Sequence, residues 1–238
     1  RASGFGLTAF GLAFAWKSQQ DGQVARYAPV VLYRTLARRL PARMDAAANH
    51  REIAEGFARR VRGATAAGWD ALSPVEGWDA RDVVRHLVTW LPGFLEGGSD
   101  VVLAAVPSVD DDPVAAWSAH AEQVQTVLDD PATDGRVYTS QFTGEMPLAQ
   151  AIDQFYTADV FMHTWDLARA TGQDEQLDEQ RCKAMYEGML PLDELLRSSG
   201  QFGPRIDVPE DASYQDKLIG FIDAAKEVPD VFVALAGA

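Results

Sequence analysis

Read as one helix at about 100° per residue, Leu148 to Ala170 places Leu148, Ile152, Phe155, Asp159, His163 and Asp166 in a sector roughly 80° wide. That sector is expected to face the core, so three titratable side chains would be buried among large apolar ones. A buried carboxylate without a partner is costly and normally has a counter-charge or a cation. Asp159 and His163 stand at i and i+4, one turn apart on one face, where both can reach a single metal ion. Arg169 in the last turn suits the negative end of the helix dipole, and Gly172 stands at the left-handed capping position.

The rest of the chain must bury that face. Its 238 residues, 47% of them hydrophobic, suffice for one large domain or two small ones. A formal net charge of -14, from 35 acidic and 21 basic residues, argues against nucleic acid or an anionic membrane as the main partner. The single cysteine, Cys182, rules out an intrachain disulfide framework and fits a reducing, cytoplasmic setting. No apolar run reaches the roughly 18 to 20 residues of a membrane-spanning helix.

The charge is uneven. Residues 1–44 hold seven Lys or Arg and one acid, Asp21, so that segment is +6 and the remainder -20, which places a boundary near Met44. The apolar run Gly4 to Trp16 reads equally as a trimmed targeting piece and as an artefactual or fused extension. It is assigned no chemistry. The expected organisation is a basic extension over 1–44, a helical domain over 45–222 and a tail over 223–238.

In order, Tyr27 to Leu40 reads as a short basic helix stopped by Pro41. Asn49 is the expected N-cap of a helix to Arg62, with Ile53, Phe57 and Val61 inward and His50 exposed. After a connection through Gly68, Ser73-Pro74 and Gly77, Asp79 and Asp82 form a helix start, with Trp78 stapling onto Val83. Val83, Leu87, Trp90 and Phe94 make the inward stripe. His86 lies about 60° from its centre and, on periodicity alone, reads as a core or edge histidine rather than a ligand.

Gly97 to Pro113 is a linker whose Asp110-Asp111-Asp112 run charges the next helix start and is otherwise solvated. Pro113 opens that helix, with Ala116, His120, Val124 and Val127 on one face, so His120 is a weaker third candidate ligand. Val137 to Phe142 alternates as a short strand or extended crossing. Asp178 to Arg197 reads as a helix kinked by Pro191, with Cys182 a packing residue rather than a nucleophile. Phe202 to Pro209 reads as extended, Asp211 or Ser213 caps a short helix through Ile222, and Val228 to Ala238 is apolar. The sequence holds no Walker loop, dinucleotide fingerprint, nucleophile elbow or internal repeat.

Two stretches, Ser73-Pro74-Val75-Glu76-Gly77-Trp78-Asp79-Ala80-Arg81-Asp82-Val83-Val84-Arg85-His86-Leu87 and Asp159-Val160-Phe161-Met162-His163-Thr164-Trp165-Asp166-Leu167-Ala168-Arg169-Ala170-Thr171-Gly172, together resemble one family. It is the DinB/YfiT-like metal-binding four-helix bundles, in the branch related to mycothiol-dependent maleylpyruvate isomerase, and the resemblance covers about Asp45 to Ile222. It implies a mainly α fold: a DinB/YfiT-like four-helix bundle with additional C-terminal helices and short irregular or extended crossings. It also implies a metal triad of a histidine on the second helix and a carboxylate and histidine four apart on the fourth. Carried over by position, these are His86, Asp159 and His163. The sequence departs from the branch in having Asp159 where the relatives look like Glu, one methylene longer. After Asp223, and before residue 45, it has no counterpart in the pattern.

A His, His, carboxylate set leaves a four-coordinate zinc one open position, and nickel or iron(II) suit the same ligands. The resemblance then implies a metal-dependent thiol transferase or isomerase acting with mycothiol or a similar thiol on an electrophile, as monomer or homodimer. The alternative is a non-catalytic metal- or small-ligand-binding bundle, a sensor or stress protein. A purely structural reading requires His86 and Asp159 to face solvent or make ordinary core hydrogen bonds. Asp166 can orient a histidine ligand or pair with Arg169, the pairing being the preferred expectation. No catalytic base is identifiable; Tyr156, Tyr138 and His120 are pocket candidates without assigned roles.

Overall fold

The computed structural model describes residues 45–140, 144–198 and 205–222. The expected basic helix at 27–40, the end of the strand at 141–142, the start of the extended stretch at 202–204 and the apolar tail at 228–238 lie outside the described residues.

Helix α1 (Ala46–Gly63) begins a turn earlier than its periodicity predicts. Asp45, not Asn49, is the N-cap, its carboxylate accepting from Ala47 N at 3.2 Å. Asn49 is thereby freed to donate to Asp153 at 2.7 Å. In α2 (Ala80–Gly98) the expected start holds as a reciprocal capping box. Asp82 N donates to Asp79 at 2.9 Å, and Asp79 N donates to the Asp82 side chain at 3.1 Å. Helix α3 (Pro113–Asp129) has Pro113 in its first turn and Asp112 as cap.

The two-stranded antiparallel ribbon β1 (Val137–Ser140) and β2 (Gly144–Pro147) pairs Tyr138 with Met146, and both are buried. Tyr138 stacks on Phe94 of α2 with ring centroids 4.2 Å apart. The stretch expected as one helix is continuous but not uniform. It comprises α4 (Leu148–Ala151), a π-helical segment (Ile152–Thr157) and α5 (Ala158–Ala170). It ends in a Schellman motif: Gly172 has φ 67°, its N–H donates to Arg169 O, and Gln173 N donates to Ala168 O.

Helix α1 packs on α3 and α5, while α2 packs on the same two, which makes a four-helix bundle with α2 and α5 as neighbours. Beyond it, α6 (Glu179–Met189) packs on α8 (Tyr214–Ile222). The expected kink at Pro191 is a full interruption: a 3-10 turn, Leu190–Leu192, separates α6 from α7 (Asp193–Ser198). The fold is thus mainly α, with the small ribbon as its crossing. Among the described residues no helix is long and apolar enough to cross a membrane.

Candidate metal centre

The packing of α2 against α5 brings His86, Asp159 and His163 together. Each of the three offers one ligand atom, and these atoms lie within 4.8 Å of one another. The His86 and His163 ring centroids are 4.9 Å apart. His86 Nε2 is 3.0 Å from Asp159 Oδ2, and His163 Nε2 is 3.5 Å from Asp159 Oδ1. One carboxylate therefore turns an oxygen toward each imidazole. Ligand atoms about 2.0–2.1 Å from a tetrahedral zinc stand roughly 3.3 Å from each other, so the two short edges match that spacing. All three residues are buried, Asp159 at 4% exposure.

The surrounding side chains hold these donors in place. The Trp90 indole N–H donates to Asp159 Oδ2 at 3.0 Å. Asp166 Oδ2 lies 2.8 Å from His163 Nδ1. With an Asp166 oxygen accepting from Nδ1, His163 Nε2 presents a lone pair to the centre. By the same rule His86 Nε2–H donates to Asp159 Oδ2, a core hydrogen bond of the kind the structural reading requires, whose proton an ion bound there would displace. The Trp78 ring stacks on His163 at 5.8 Å and meets His86 at a tilt, 5.1 Å between centroids. Burial holds His86 below the ordinary histidine range, with Asp159 opposing that shift.

Two expectations, on Asp166 and His50, are corrected here, and the weaker candidate ligand His120 stays outside the donor set. Asp166 does not pair with Arg169, which instead meets Glu175 at 2.9 Å and lies over the Trp165 ring. Each step of three residues turns the side chain about 60° back around the helix, so Asp166 stays beside the inward His163 face while Arg169, about 120° from His163, is exposed. His120 is buried but outside the donor set, against Tyr156 and Trp117. His50, expected exposed, is fully buried on α1 with Ala47, Ile53, Ala54, Phe57 and Val61. Its position three before Ile53 and seven before Phe57 carried that signal. In the sequence Trp78 reads as a staple onto Val83 and Trp90 as part of the inward stripe, and nothing there marks the Trp90 N–H as a partner of Asp159. Of the pocket candidates, Tyr138 packs on Phe94 and Tyr156 on Trp90, neither in the donor set. Cys182 is buried, and burial raises its thiol to about 12, in keeping with packing rather than nucleophilic chemistry.

The sequence matches the family described as mycothiol maleylpyruvate isomerase N-terminal domain over residues 50–168, half of the chain, a span that contains all three donors. The chain belongs to that family. Membership in the mycothiol maleylpyruvate isomerase N-terminal domain family makes it one of a mycothiol-related, DinB-like group of bundles. Two further relatives are uncharacterized proteins from two strains of Mycobacterium tuberculosis. Each is 29% identical over 143 residues, covering 58% of this chain and 73% of the relative. No solved structure matches. The family match ends two residues before the last residue of α5, so the α6 to α8 unit lies beyond it.

Proposed function

We propose that this protein holds one divalent ion through His86 Nε2, the Asp159 carboxylate and His163 Nε2, and acts as a metal-dependent thiol S-transferase or isomerase. The observation that carries the reading is the single buried carboxylate facing both Nε2 atoms at 3.0 and 3.5 Å. Zinc suits this set first, and nickel and iron(II) follow. A bound ion supplies a Lewis acid that keeps a thiol deprotonated near neutral pH. The chain's own residues prepare the centre: Asp166 fixes the His163 tautomer, Trp90 orients Asp159, and Trp78 packs against the two imidazoles. The shorter Asp159 reaches both imidazoles, which supports metal binding by Asp where the relatives look like Glu.

The thiol in this reading is mycothiol or a similar low-molecular-weight thiol, its co-reactant is a small electrophile, and the setting is cytoplasmic. The net charge of -14 is in keeping with a small-molecule partner rather than nucleic acid or an anionic membrane. The near-complete burial of the donors favours a second reading, a bundle that binds the ion without turnover.

Elemental analysis of purified protein is expected to give about one divalent metal per chain, and His163→Ala to lose it. Equal metal content in the two proteins overturns the proposal. Thiol consumption by the metal-loaded protein with a panel of electrophiles then separates the readings, since metal without turnover leaves the binding bundle.

A further inference from the structure

Of the buried side-chain atoms left without a protein hydrogen-bond partner outside the centre described above, which include Gln154 Oε1 and Thr157 Oγ1, four belong to rings. They are His50 on α1, Trp117 and His120 on α3, and Tyr156 in the π-helical segment, each no more than 1% exposed. Their rings form one chain of contacts. Tyr156 lies 6.1 Å from His50 and 5.6 Å from His120, and His120 lies 6.4 Å from Trp117. Each leaves a buried atom without a protein hydrogen-bond partner: His50 Nε2, Trp117 Nε1, His120 Nε2 and Tyr156 Oη. One such atom is a tolerable exception in a folded protein. Four on rings that touch in series point to a common occupant.

The chemistry of the four defines what that occupant is. Gln125 Nε2 donates to Ala47 O at 3.2 Å and to Asp129 at 3.0 Å, so its oxygen is the atom 2.9 Å from His50 Nδ1. His50 Nδ1 therefore carries the proton, and its unpartnered Nε2 is a bare acceptor. Trp117 Nε1–H is a donor only, and the Tyr156 hydroxyl is both donor and acceptor. Burial lowers both histidines, His120 to about 4, and raises Tyr156 well above the ordinary tyrosine range. All four are thus uncharged near neutral pH. None is an acid, so a cation finds no counter-charge among them; Arg51 and Asp129 act on His50 from one side, and Asp159 on Tyr156 from the other.

We propose that His50, Trp117, His120 and Tyr156 line a second, internal binding site, for neutral hydrogen-bonding molecules, held by ordered water in the resting protein. Buried water normally makes two to four hydrogen bonds to groups left over by the fold, and this set offers donors and acceptors for that. The site stands behind Trp90, whose ring is 5.7 Å from Tyr156 and whose N–H reaches Asp159. It does not depend on whether the donor set binds metal.

A high-resolution crystal structure of the full chain tests this directly. Water, or a neutral solute, bonded to most of these four atoms is the expected result, together with long-lived water cross-relaxation to the His120 and Tyr156 ring protons in solution. Tyr156→Phe is expected to lose one of these waters and to lower Tm by a few degrees, because it deletes a satisfied hydroxyl. A dry cluster, direct pairing of the four atoms with one another, a metal or anion at the position, or a Tm unchanged or raised in Tyr156→Phe overturns the proposal.

Discussion

Asp166 and His120 show how one buried polar residue acts through its neighbour or through the solvent it has lost. Asp166 reaches the centre only by way of His163 Nδ1, at 2.8 Å. Asp166→Asn is expected to weaken metal binding about 10–100-fold, the usual effect of removing such a support, while leaving His163 in place. A competition titration with a chromogenic chelator reads this. His120, lowered by burial from 6.5 to about 4, sets a pH dependence of stability. Below pH 6.5 the unfolded chain takes up a proton at this position and the folded chain does not, so this group's contribution lowers stability as the pH drops from 6.5 toward 4 and is constant below that. The full effect is on the order of 3 kcal/mol, and His50 adds to it with the same sign. Urea unfolding of wild type and His120→Gln at pH 7.5, 5.5 and 4.5 measures the difference, and a shallower loss in the variant is the expected outcome.

At the scale of elements, the helix starts were the most readable feature and the helix interiors the least. Asp79 and Asp82 close a capping box because both carboxylates are short and both targets are backbone N–H groups within three residues. Asp79→Ala is expected to cost about 1 kcal/mol, seen as a lower urea midpoint at unchanged m-value. Asp45 and Asn49 are both good caps, and a contact distant in sequence, Asn49 to Asp153, draws Asn49 into the helix, so α1 starts a turn before the position that spacing indicates. The stretch from Leu148 to Ala170 was legible as helical, but not its π-helical segment over Ile152–Thr157. That segment stands directly before the turn bearing Asp159. Hydrophobic spacing averages over such a register change, and every residue of the predicted sector is buried across it.

For the whole molecule, the centre ties two helices from distant parts of the chain. His86 lies 73 residues before Asp159 and meets it only because α2 packs on α5. An ion gripped there binds the folded state and has no preformed site in the unfolded chain. Loading to 100 times the Kd is then expected to add about 2.7 kcal/mol to stability. Thermal unfolding before and after chelation checks this: Tm is expected to fall on chelation, and His163→Ala to be insensitive to it.

The sequence by itself determined the mainly α class, the helix starts at Asp79 and Pro113, the stop at Gly172 and the shared face of Asp159, His163 and Asp166, since each rests on interactions within a turn or two of backbone. The family resemblance, not periodicity, put His86 with that face, and only the tertiary structure decided that Asp166 serves His163 rather than Arg169, that Trp90 donates to Asp159, and that His50 and His120 are enclosed around Tyr156. Those outcomes depend on which helices become neighbours, a choice made by the packing of whole apolar faces.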